Sequence, residues 1–384
     1  MKHFSIAIPE LAQGCASLTN AIMAFSAKQL SLQGKLPEAV SLHYTDACYK
    51  LLLPRLQEKA FVAAGLASVL LLRMVQHMTG KYRLSKARVP YTNEGKDSVS
   101  TDLRVGHDFL GLDVFLNALR ANLDSSVHAA IFVNMLRFYT HLALTGEQPL
   151  ALLDSNCEWL CHELPMPTDS RRWEWCALME CCRAVNFVFD DKPKTMERWL
   201  ELESQTNDWR TSKASYLDPI YSEEDTEGDA FPRTVFASET HDYFHAQGPV
   251  ADDTTVAAFL YHSLSTLLLI NNIPDDTARN DGFPTPEQID RQSYTILRRV
   301  CGTAACHSDS VPTLIKAGDV ISYAGHLLKT KVEQDAAYEL LMKAEKQFPG
   351  IQPKEKIDRL ASVWAGGSNM AHQLYIWRPW TSKH

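Results

Sequence analysis

The 384-residue chain contains no C-x-x-C pair, although it has nine cysteines. Two thiolates three residues apart can grip one metal from a tight turn, so the two pairs that a six-cysteine zinc cluster needs are missing from this sequence. An odd number of cysteines scattered over a long chain does not read as a disulfide framework and fits a reducing compartment. Positive charge is also scarce, with 38 lysines and arginines against 46 aspartates and glutamates and a net charge of −8. No general positive field draws such a surface onto a phosphate backbone, and direct nucleic-acid binding is not expected. Long apolar runs are missing too. Phe61 to Leu72 and Val256 to Ile270, the second holding His262 and two serines, fall short of the roughly twenty residues a membrane helix needs. Both are expected to be buried core helices, without a membrane role. At the N-terminus, Pro9 and Glu10 come too early for a secretory apolar region, and Ser382-Lys383-His384 departs from a peroxisomal Ser-Lys-Leu ending at its last residue.

Motifs of the common chemistries are lacking as well. There is no G-x-S-x-G, no glycine-rich phosphate loop and no dinucleotide fingerprint. Serine-nucleophile, kinase and nicotinamide chemistry are therefore unsupported, and no cofactor or resident metal is called for. Alternation of period two is nowhere sustained, no repeat of fixed period appears, and no heptad run is long enough for a coiled coil.

What the chain does have is helix-length apolar periodicity and, at 45% hydrophobic residues, enough apolar mass for a large core. Ala21, Ile22, Phe25 and Leu30 share one face of a first predicted helix, and Leu42, Ala47, Leu51 and Leu52 share a face of a second that Pro54 ends. Further helices are predicted over 106–123, 127–144, 151–162, 172–189, 195–209, 253–272, 286–307, 311–329, 331–348 and 353–377. Pro219, Glu223-Glu224-Asp225, Gly228, Pro232 and Gly248 accumulate between Arg210 and Asp253. The expectation is an all-α, multi-helix, orthogonal or antiparallel domain, with lobes of about 1–209 and 253–384 joined by a long irregular segment, 210–252.

Several stretches carry a family resemblance. LTNAIMAFSAKQL begins at Leu18, LHYTDACYKLLLPRL at Leu42, FVAAGLASVLLL runs into Arg73, and LRVGHDFLG begins at Leu103. Ala129-Ala130-Ile131-Phe132 leads to Arg137. Trp209, Asp218-Pro219-Ile220 and Phe231-Pro232 mark the middle, and Val311-Pro312, Gly318, Glu333-Gln334 and Leu340-Leu341 follow. This succession resembles the helical regulatory, or middle homology, domain of fungal zinc-cluster transcription factors, without the six-cysteine DNA-binding module. The resemblance implies an architecture and brings no active site with it, because the shared residues build helices and turns.

Four constellations carry possible chemistry. Cys157, Cys161 and His162 with Cys176, Cys181 and Cys182 form the densest soft-ligand cluster, but free cysteines beside Trp159, Trp173 and Trp175 read first as small buried hydrophobes. His241 and His245 have helical spacing and lack the glutamate of a zinc protease. Asp190-Asp191, Asp252-Asp253 and Asp275-Asp276 sit where caps and turns belong. The last constellation is the set of polar groups interrupting apolar faces: Arg73 and His77, His107, then His128, Asn134, Arg137 and His141, and finally Tyr261-His262. Such groups either staple helices or line a pocket.

On the pocket reading, His107, Arg137 and His262 are the candidate catalytic donors, and Arg73, Phe132, Asn134, Tyr139, Trp209 and Tyr261 the candidate substrate-binding residues. Flat rings beside a few donors suit a small apolar polyketide or terpenoid intermediate of fungal secondary metabolism. Two functions compete, besides the chain being a fragment of a longer zinc-cluster factor. One is a repurposed, cofactor-independent cyclase or isomerase in the cytoplasm, to which the sequence reading inclines because the DNA-reading module is missing. The other is a regulator or metabolite sensor in the nucleus. A homodimer is compatible with either.

Overall fold

The computed structural model describes residues 2–55, 62–79, 126–150, 171–223, 229–236, 253–274, 283–351 and 354–366. They form an all-α protein. Its helices are α1 Lys2–Gln13, α2 Ala16–Leu32, α3 Glu38–Leu52, α4 Val62–Met78, α5 Ser126–Gly146, α6 Arg171–Phe189, α7 Met196–Ser212, α8 Asp253–Ile270, α9 Pro286–Cys306, α10 Val311–Ala324, α11 Lys331–Gln347 and α12 Lys354–Trp364. Among the described residues the only strands are β1 Tyr221–Ser222 and β2 Thr234–Val235, an antiparallel pair. The helices predicted over 106–123 and 151–162 lie outside the described residues.

Two compact units partition the chain, one comprising Met1–Phe138 with Asp154–Pro165 and the other Tyr139–Leu153 with Met166–His384. In the first, α2 packs along α3 and α4, and α1 lies against α2 and α4. Small residues allow the close approach: Ala21, Ala24 and Ala27 of α2 are buried, and Ser41 of α3 donates to the Ala24 carbonyl at 2.9 Å. Nothing in the local sequence predicts a helix over the first thirteen residues, yet α1 forms with Pro9 inside it. An interior proline costs about 3 kcal/mol of helix stability. Burial of Ile8 and packing on two neighbouring helices offset it.

In the second unit α8 is the central element, packed along α6 and α10 and touching α7 and α9. Val256, Ala257, Ala258, Leu260, Leu264 and Leu267 to Leu269 are all buried, as expected of a helix covered on most sides. Helix starts are sharply specified. Thr285 and Thr330 each form a capping box with Gln288 and Glu333, and Ser310 accepts from the Thr313 amide.

Glu333 also ties α9 to α11. Its Oε1 accepts from the Tyr294 hydroxyl at 2.6 Å and pairs with Arg298 at 3.1 Å, while Oε2 accepts from the Thr330 amide at 3.1 Å. Burial pushes its carboxyl up, but these donors outweigh it and hold the group below its ordinary 4.5. Its contribution is present above pH 4.5 and is lost as pH falls through the lower folded value. Glu333→Ala is expected to cost about 2–4 kcal/mol in urea unfolding at neutral pH, because the Tyr294 hydroxyl, the Arg298 guanidinium, the Lys329 amide and the Thr330 amide and hydroxyl lose their acceptor.

Candidate ligand site around Trp209

Helices α6 and α7 form a hairpin whose far end is closed by Trp209, and α8 lies beside both. The Trp209 indole Nε1 donates to the Trp173 carbonyl of α6 at 3.0 Å. Its ring stacks on His262 of α8, with centroids 4.5 Å apart and planes at 23°. The same tryptophan chemistry recurs near the start of α7, where Trp199 Nε1 donates to the Leu269 carbonyl at 2.9 Å. Large rings with one polar handle thus join the three helices.

His262 Nδ1 is buried without a hydrogen-bond partner. Burial, with Arg210 and Lys213 adding positive charge nearby, pushes this imidazole down to about 4, so it is neutral at physiological pH. Adjacent Tyr261 is also buried, and Lys316 Nζ lies 5.3 Å from its ring centroid.

On the α6 side lies Glu180, a residue the sequence reading passed over. Its Oε2 is buried and has no partner. Burial pushes the carboxyl up to about 8, Arg183 opposes the shift and Asp208 adds to it. The available signal was a single acid within the apolar run Cys176-Ala177-Leu178-Met179-Glu180-Cys181-Cys182.

The candidate residues from the sequence fall into both units. Trp209, Tyr261 and His262 belong to the second, where Trp209 and His262 meet face to face. Tyr139 is in the same unit and half-buried. Arg73, Phe132, Asn134 and Arg137 belong to the first unit. There Arg137 donates to Asn134 Oδ1 at 3.3 Å and Asn134 to the Ala130 carbonyl at 2.8 Å, within one helix. Arg73 donates to Gln76 at 3.4 Å, and Gln76 to the Tyr49 hydroxyl at 3.1 Å, linking α4 to α3. Phe132 is a core side chain at 1% exposure. His107 lies outside the described residues, as do His241, His245, Cys157, Cys161 and His162.

His141, one of the polar interruptions in the sequence, is a staple. Its Nδ1 is 2.7 Å from Asp319 Oδ1 and its Nε2 is 2.8 Å from the Ile351 carbonyl oxygen. Both neighbours are acceptors, so the ring donates from both nitrogens and carries a charge. Of the remaining cysteines, Cys181 and Cys182 are fully buried, burial pushes the Cys181 thiol upward, and Cys182 pairs with the Thr140 hydroxyl at 3.2 Å. Among the described residues, no group of three or more His, Cys, Asp or Glu side chains is placed to hold a metal ion. Nor is any described helix long and apolar enough to cross a membrane.

Comparison of the chain with family models, with curated proteins and with solved structures finds no match.

Proposed function

We propose that this chain is a helical regulatory domain of the zinc-cluster transcription-factor kind, responsive to a small ring-bearing molecule that seats against α6, α7 and α8. The observation that carries the reading is the Trp209–His262 stack with its buried, unpartnered Nδ1. A neutral imidazole held against an indole keeps one unused hydrogen-bonding atom among apolar surroundings, which suits a polycyclic or polyene ligand that presents an oxygen to it. The family resemblance adds support, since its residues hold packing posts: Trp209 bridges helices, Pro232 abuts Gly302, and Glu333 caps α11.

A second reading, a cofactor-independent cyclase or isomerase, draws on the same neutral imidazole. Held at about 4, His262 is in the form that accepts a proton at physiological pH. Gene deletion separates the two readings. Loss of transcripts across a biosynthetic pathway marks the regulator, in the nucleus, whereas accumulation of one uncyclised intermediate marks the enzyme, in the cytoplasm.

The site itself is tested with His262→Phe, which keeps the ring and its burial but removes both nitrogens. Calorimetric binding of a hydroxyanthraquinone probe is expected to weaken about tenfold, the scale of one hydrogen bond, with no fall in melting temperature. Unchanged affinity would remove His262 from the site.

A further inference from the structure

Glu180 lies along α6 between two ties to α7: the Trp209 bond to the Trp173 carbonyl, and Arg183, whose Nη1 donates to Gln205 Oε1 at 3.4 Å. Arg183 is therefore near enough to act on Glu180 by charge, while its guanidinium bonds elsewhere. Glu180 as a whole is half-buried, but its Oε2 is buried without a donor, and a buried polar atom costs free energy when the bond it had in water is not replaced. Glutamine at this position would remove the charge, and an apolar residue would match Cys176, Met179 and Cys181 around it. Groups kept against stability in this way mark sites where the missing partner arrives from outside.

The charged groups around Glu180 are Arg183 on its own helix and Asp208 on α7, and the Cys176 thiol one turn back feels Glu180 in turn. Arg183 and Asp208 act on Glu180 in opposite senses, no donor reaches its buried Oε2, and two indoles, Trp173 and Trp209, stand at the adjoining end of the hairpin. We infer that Glu180 anchors the cationic group, a guanidinium or ammonium, of an aromatic ligand whose ring lies at the Trp173–Trp209 end of α6 and α7. This rests on the reading of α6, α7 and α8 as a ligand site and adds the charge of the ligand to it. A guanidinium would give both carboxylate oxygens a donor.

Binding then carries a proton signature. At a pH below about 8 the free carboxyl is mostly protonated, and a cation binds its ionised form, so one proton leaves Glu180 for buffer as the complex forms. The test uses benzylguanidinium and benzylurea, a charged and an uncharged probe of nearly the same shape, titrated calorimetrically into the whole chain in two buffers of different ionisation heat. The charged probe is expected to bind about tenfold tighter or more, releasing a proton near neutral pH, while benzylurea releases none. Glu180→Gln is expected to abolish both the preference and the proton release while raising the melting temperature above pH 8, so loss of binding cannot be laid to unfolding. Equal affinity of the two probes, or a cation preference that survives in Glu180→Gln, overturns the inference. If that happens while hydroxyanthraquinone still binds in a His262-dependent way, the functional reading stands without it. If no probe binds, both fall.

Discussion

Asp319→Ala is expected to lower stability by about 3–5 kcal/mol, the range for removing one partner of a buried ion pair. His141 and Asp319 have side chains 4% and 9% exposed, so water cannot replace the lost contact. Burial alone would push the His141 ring down. The Asp319 charge and hydrogen bond together with the Ile351 carbonyl outweigh it, so the net shift is upward, with Lys356 a small opposing charge. The sign of the pH dependence follows. A histidine raised above its ordinary 6.5 contributes stability that is fully present below that value and lost as pH rises through the folded value. The difference between wild type and Asp319→Ala is therefore greatest below pH 6.5 and narrows on the alkaline side. Urea melts at a series of pH values check it. A constant difference across the range would mean that the pair contributes by packing and not by charge.

That pair shows which half of the polar arrangement the sequence disclosed. His141 was visible because it interrupts an apolar helix face, but Asp319, between Gly318 and Val320, looks like any polar residue of a half-exposed helix. The two meet only because α10 packs so that Asp319 reaches α5, which no local period encodes. His262 is legible for the same reason and Trp209 as a large ring of the expected interior, while their stacking is not. Glu180 escaped because one acid on an apolar helix reads as its solvated edge unless the neighbouring helix is known to cover it.

Helix boundaries were legible where local chemistry sets them. Thr285-Pro286, Ser310 before Pro312, and Thr330 with Glu333 place the starts of α9, α10 and α11 within a residue or two of their predicted positions. Where tertiary packing overrides local preference, as at Pro9 in α1, the sequence signal pointed the other way. The hairpin of β1 and β2 was equally hidden, since two-residue strands leave no alternation to read.

The same hairpin region leads to the second large effect, at Gly302 near the C-terminal end of α9. Replacing a helical glycine by alanine ordinarily stabilises by about 0.5–1 kcal/mol. Here a Cβ would fall 1.8 Å from the Pro232 carbonyl oxygen and 2.9 Å from its carbon, a backbone group that cannot swing aside as a side-chain tip can. Pro232 is itself fixed by buried Phe231 and Phe236, by the Phe236 amide donating to His307 Nε2 at 3.4 Å, and by the Phe236–Phe259 ring contact at 5.2 Å. Relieving the overlap means lifting residues 231–236 from α9 and exposing both phenylalanines. Gly302→Ala is expected to lose about 2–4 kcal/mol in net stability, and hydrogen exchange in 229–236 should rise before global unfolding. Gly14→Ala is the control: no atom lies within 4 Å of its added Cβ, so its effect should stay within about 0.5 kcal/mol. If Gly302→Ala matched that control in both stability and exchange, the segment around Pro232 would not be seated on α9 in solution.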